Sequence, residues 1–174
     1  ISEGGYVLAG IQRAINTPIT SRYNMATAGN YYPVVSIRLR SDKLDAIVVP
    51  SAASILGDGN GINYHYKMVA GGRVEGGSWV VDDSDGAVEY NITGVNFHES
   101  DGSGNAIGRT LVGGFLNSSN QGSPTIDILK QALFKFQLER NSFTDSAETF
   151  TFAIASDTNS YGVWGSLDWD EITR

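Results

Sequence analysis

The sequence predicts an all-β fold, an antiparallel β-sandwich or jelly roll with an irregular N-terminal arm. Three observations lead there. Polar and apolar residues alternate with a period of two in several short segments, the spacing at which one strand face is buried and the other meets water. Gly is abundant, at 21 of 174 residues, and with Ser, Thr, Asn and Asp it gathers between those segments, where tight turns need it. Charged residues make up only 18%, far from the Glu-, Lys-, Ala- and Leu-rich composition of a helical bundle.

Residues 1–32 carry the weakest pattern and are read as the arm. Tyr6 to Ile11 has the composition of a short strand. Asn16-Thr17-Pro18 breaks the chain, because Pro18 fixes its own φ and pushes Thr17 to an extended form. Residues 33–174 are read as a single sandwich domain. Val35, Ile37 and Leu39 alternate with Ser36, Arg38 and Arg40, giving one buried and one wet face. Ala46 to Val49 is a second strand, closed by Pro50. Tyr64, Tyr66 and Met68 alternate against His65, Lys67 and Val69, and the pairs Gly71-Gly72 and Gly76-Gly77 mark turns or bulges. Ser78 to Val81 and Ala87 to Thr93 form a hairpin across the acidic turn 82–86. Arg109 to Leu116 is a short apolar run between two polar loops. The stretch 125–133, preceded by Pro124, is open to one helical turn.

Alternation is clearest in the last third. It runs from Phe134 to Glu139, continues through Phe150, Phe152 and Ile154, and returns in Val163, Gly165, Leu167 and Trp169. Short connections join these three segments, which predicts an antiparallel meander. Hydrophobic residues make up 41% of the chain, enough to fill the two inner faces of a sandwich. Each fully buried Phe, Leu or Ile stabilises it by roughly 1.5–3 kcal/mol.

The same residues bound the chemistry. A formal net charge of −7 disfavours phosphate backbones and anionic membranes. The absence of cysteine excludes disulfides, thiolate nucleophiles and cysteine-ligated metal. No apolar run approaches the roughly 20 residues of a membrane-crossing helix. His65 and His98 have no partners at metal-ligand spacing. Asp101, Ser103 and Asn105 repeat the first three ligand positions of a calcium loop, but Ala106 replaces the required Gly and Val112 the closing Glu. That segment therefore reads as a turn capped by Asx side chains, as do Asp82, Asp83 and Asp85. Val88-Glu89-Tyr90-Asn91 resembles the nucleophile strand of jelly-roll xylanases. The second acidic motif of that family is absent, and the alternation places Glu89 toward solvent. No catalytic residue, cofactor site or metal ligand is assigned, and the chain is read as a non-enzyme. Aromatic residues offer another possibility: Trp164, Trp79, Tyr31, Tyr32 and Tyr161 are candidates for a sugar platform. The alternative reading is thus a carbohydrate-binding β-sandwich within a receptor-binding or adhesion assembly.

Three stretches carry a family resemblance. They are Pro33 to Arg40, Phe136 to Arg140 leading into Thr149 to Phe152, and the terminal Gly165 to Ile172. With the acidic, glycine-rich, cysteine-free β composition, they make the chain similar to virion structural proteins of tailed bacteriophages, of the capsid decoration or cement type. The resemblance implies attachment to a capsid surface through the major capsid protein or other virion subunits. It also implies a homo-oligomer such as a trimer, and no cofactor. A cement protein needs an interface patch and often an extending arm. The candidate interface residues are Tyr6, Leu8 and Ile11 in the arm, Arg38 and Arg40 on the wet face of their strand, and Trp164.

Overall fold

The computed structural model describes residues 11–119, 140–141 and 146–172. Tyr6, Leu8, the strand expected over 134–139 and the possible helical turn at 125–133 lie outside them. The described residues contain fourteen strands and no helix, consistent with an all-β antiparallel sandwich.

One sheet is built around the last strand, β14 (Tyr161–Ile172). Along one edge it pairs with β4 (Ile47–Gly57). Its other edge is shared by β1 (Ile11–Asn16) and β2 (Tyr23–Met25). The second sheet runs in the order β10 (Gly108–Asn117), β5 (Asn63–Gly71), β13 (Phe150–Ser156), β3 (Tyr32–Leu39), β8 (Val88–Asn91) and β7 (Val80–Val81). Two ribbons are separate: β6 (Arg73–Glu75) with β9 (Asn96–His98), and β11 (Arg140–Asn141) with β12 (Ser146–Ala147).

The core lies between the two sheets. Val35, Ile37 and Leu39 of β3, Met68 of β5, and Phe150, Phe152 and Ile154 of β13 face Val48 and Ile55 of β4 and Val163, Leu167 and Trp169 of β14. Those of β3, β5, β13 and β14 are the apolar positions that the period-two pattern picks out; Ile55 lies beyond Pro50, where the pattern ends. Tyr64 is also fully buried, and its hydroxyl donates to the carbonyls of Asp58 at 2.6 Å and Gly162 at 3.1 Å. Burial pushes this phenol up to about 12. Gly57 makes room for it, since a Cβ there would stand 2.5 Å from the Tyr64 ring.

The structure departs from the sequence pattern in four places. The arm expected over 1–32 contains β1 and β2, and Met25 reaches the core. Thr17 joins them to β14: its N–H donates to the Gly165 carbonyl, and its hydroxyl accepts the Gly165 N–H at 3.0 Å. The short length of both strands, split by Pro18, hid them. β4 continues through Pro50, because β4 lies at the edge of the described sheet and its register skips a residue between Ala52 and Pro50; a proline without N–H is tolerated there. The wet face of β3 is dry at Ser36, whose hydroxyl lies 3.0 Å from that of buried Thr151. The β6–β9 ribbon forms a partial third layer here, and Gly94 sits between Val74 and Pro33. Finally, β13 and β14 are not neighbours in a meander. Residues 157–160 carry the chain from one sheet to the other, so both strands present apolar faces to the same core. The double glycines do turn the chain: Gly71, Gly72, Gly76 and Gly77 all have φ between +71° and +83°.

One end of the core is closed by charge. Glu171 is almost fully buried and accepts from Arg13 Nε at 3.0 Å and from the Trp169 indole N–H at 3.3 Å. Arg13 also donates to Asp83 at 3.1 Å. Replacing Arg13 by Met strands a buried carboxylate and is expected to cost about 3–5 kcal/mol in denaturant unfolding. The double change Arg13→Met with Glu171→Leu is expected to recover most of that loss, since an apolar pair of similar volume substitutes well for a buried ion pair. A double variant as unstable as Arg13→Met would show that the ion pair itself holds this end together.

Candidate functional site

Strand alternation places His65 on the outer face of the six-stranded sheet, opposite buried Tyr64. Its partner across the strand pair is Phe115 of β10. The two rings meet with centroids 4.7 Å apart. Phe115 is 81% exposed, the most exposed large apolar side chain among the described residues. The preceding glycines explain how an aromatic can stand uncovered on a sheet: a Cβ at Gly113 would lie 3.4 Å from the His65 ring, and one at Gly114 would strike the Tyr66 hydroxyl.

Tyr31, just before β3, completes the aromatic cluster. Its hydroxyl lies 2.5 Å from His65 Nδ1, and the two rings meet edge to face at 5.6 Å. Lys67 Nζ sits 3.8 Å above the Tyr31 ring and 2.7 Å from Glu99, so its charge is shared between a π face and a carboxylate. Burial, and then Lys67, hold the His65 imidazole below its ordinary value. Neutral His65 can accept a hydrogen bond from the Tyr31 hydroxyl at Nδ1 and carry its own hydrogen on Nε2.

A cleft of about 450 Å³ opens beside this cluster. Phe115, His65 and Tyr31 contribute rings, and Asn63, Ser156 and Asp157 contribute polar groups. The polar side is a bonded network. Asn63 donates its side-chain N–H to Asp157 at 2.8 Å and its backbone N–H at 3.2 Å, and Asn117 donates to Asn63 at 2.7 Å. The Thr158 hydroxyl also bonds to Asp157. Donation by Asn63 and Thr158 holds the Asp157 carboxyl below the usual range, so it is ionised near neutral pH.

The residues singled out from sequence are spread over the molecule. Ile11 begins β1, exposed, and pairs with Glu171. Arg38 is not a free cation: its Nε donates to Glu89 at 2.5 Å, and its guanidinium lies 4.0 Å above the Trp79 ring. The same contacts fix Glu89, which the xylanase-like fragment had singled out. Arg40 is bidentate to Asp42 at 3.1 and 2.9 Å and also donates to the carbonyls of Ser84 and Gly86. Trp164 lies on the outer face of the four-stranded sheet beside Leu56, its indole N–H donating to the Ile19 carbonyl at 3.2 Å. Of the aromatic candidates only Tyr31 enters the cleft; Tyr32 packs against Tyr23. Asp101 binds its own turn, accepting from the backbones of Ser103 and Asn105 at 2.8 and 2.9 Å. No group of three or more His, Asp or Glu among the described residues is placed to hold a metal ion.

Comparison with protein-family models, with curated proteins and with solved structures finds no match. Function is therefore read from the chain's own residues.

His65 makes the site sensitive to pH. Unfolded His65 takes up a proton as pH falls through about 6.5, whereas the folded imidazole does so only at lower pH. Between those values the unfolded state holds more protons, so stability falls as pH drops below about 6.5 and levels off once the folded imidazole is also charged. Thermal unfolding should show a larger loss for the native chain than for His65→Gln between about pH 7.5 and about pH 5.5. Equal losses would assign the pH dependence to other groups.

Proposed function

We propose that this chain is a virion structural protein of the capsid decoration type, acting by attachment rather than by chemistry. The observation that carries the reading is the distribution of exposed apolar side chains on opposite outer faces of the sandwich. Phe115 stands on the outer face of the six-stranded sheet. Leu56, Trp164 and the neighbouring Ile19 stand on the outer face of the other. A protein that bridges two subunits of a shell needs two such faces, and its binding energy then stabilises the shell by mass action.

The charge pattern supports the same reading. Arg38, Arg40, Lys67 and Arg13 are all engaged by acidic groups of this chain. They hold the sandwich rigid instead of waiting for a partner, and this shifts the candidate interface away from Arg38 and Arg40. Trp164 remains in it, because an indole at the centre of an apolar cluster is the residue type that most often dominates a protein interface. Among the described strands β1, β4 and β10 lie at sheet edges, where a second copy could pair.

Quantitative peptide mass spectrometry on purified particles from the source tests the reading. A copy number near that of the major shell protein is expected. A few copies per particle would move the protein to a tail, collar or fibre, and absence from particles would overturn the proposal. Trp164→Ser combined with Leu56→Ser is expected to lower incorporation by roughly tenfold or more, as loss of a central aromatic contact does. The melting temperature should change little, because both side chains lie on an outer face.

A further inference from the structure

We propose that the cleft between Phe115 and Asp157 is a binding site for a neutral sugar in its pyranose form. The proposal concerns the free chain, in which the Phe115 face is uncovered, and it does not depend on attachment to a shell, which would compete for the same ring. A pyranose ring has one face of axial C–H groups and a rim of hydroxyls, and the cleft has a counterpart for each. Phe115 offers a bare ring held upright by His65, and the opposing side offers Asn63, Asp157 and Ser156. A volume of about 450 Å³ is in the range of small-ligand sites, about 300–1,000 Å³.

The polar rim selects the class of ligand. Asp157 accepts from Asn63 twice and from Thr158 once and keeps room for one hydroxyl hydrogen, since an ionised carboxylate has about four lone-pair sites. Its negative charge opposes an anionic sugar. Lys67, which stands over the Tyr31 ring beside the cleft, is already held by Glu99, and the whole chain carries a net charge of −7. A flat, wholly apolar ligand is matched less well, because it would strip hydration from Asn63 and Asp157 without returning a hydrogen bond. The aromatic cluster is preorganised: Tyr31 fixes His65 through Nδ1, and His65 in turn supports Phe115. Such a platform binds without ordering new side chains, which is where weak ligands otherwise lose affinity.

The test uses the whole chain and saturation-transfer NMR with methyl β-glucopyranoside, methyl β-galactopyranoside and N-acetylglucosamine, with glucuronate as the anionic control. At least one neutral probe is expected to receive saturation on its axial ring protons, and more strongly than glucuronate. Phe115→Ala is expected to weaken that probe by about tenfold, the loss of one aromatic stacking contact. Asp157→Asn should weaken it too and narrow the discrimination against glucuronate. Because Phe115 is exposed, the first variant should keep the native melting temperature; should it fail to fold, Asp157→Asn carries the test alone. Transfer to none of the neutral probes, equal transfer to glucuronate, or transfer unchanged in the folded variants would overturn the proposal.

Discussion

Hydrogen bonding on both edges of β14 is the constraint that orders the rest of the molecule. Along one edge, Val163 to Ile172 pair with the length of β4, while β1 and β2 divide the other edge between them. A strand paired on both sides has no free backbone groups to satisfy elsewhere, so it sits in the interior of its sheet. Its inward side chains Val163, Leu167 and Trp169 then meet Val35, Ile37 and Phe152 across the core. Gly165, between them, lets Val34 approach, with a Cβ there falling 3.0 Å from the valine. The two short N-terminal strands exist only because β14 offers them an edge.

Several polar groups taken into this structure find partners inside it, although the buried Ser51 hydroxyl has none among the described residues. Glu171 would be intolerable at the end of the core without Arg13 and the Trp169 indole. Ser36 and Thr151 pair under the β6–β9 layer, and Asn91 donates to the Gly76 carbonyl. On the surface, Arg38 with Glu89, Arg40 with Asp42 and Lys67 with Glu99 neutralise one another locally. Two surface features stand apart from these ion pairs among the described residues: the Phe115 cleft on one face and the Leu56–Trp164 patch on the other. That division of labour favours recognition by shape and stacking.

The candidate site was partly legible. The alternation sets His65 and Lys67 on the polar side of their strand, and both lie on the outer face of the sheet. The Gly113-Gly114-Phe115 run also held the one local signal that an aromatic ring stands uncovered, since residues without side chains cannot shield it. The sequence could not show that Phe115 faces His65 or that Asp157 turns toward Asn63, because both contacts join distant parts of the chain. The engagement of Arg38 and Arg40 was hidden for the same reason: Glu89 lies 51 residues from Arg38, and alternation tells which face a charge is on without telling what stands beside it.

The sequence by itself determined the all-β class, the longer strands and the core-facing side of β3, β5 and β13, because a period of two is a local property of an extended backbone. It also determined the turns at the double glycines, where positive φ excludes most other residues. Tertiary structure alone decided the rest. It recruited residues 11–16 and 23–25 into a sheet, carried β4 past Pro50, and sent β13 and β14 into opposite sheets. It also brought Tyr31, His65 and Phe115 to one cleft. Each of these outcomes depends on which strand edge is free and which apolar face must be covered, quantities that exist only once the whole chain has folded.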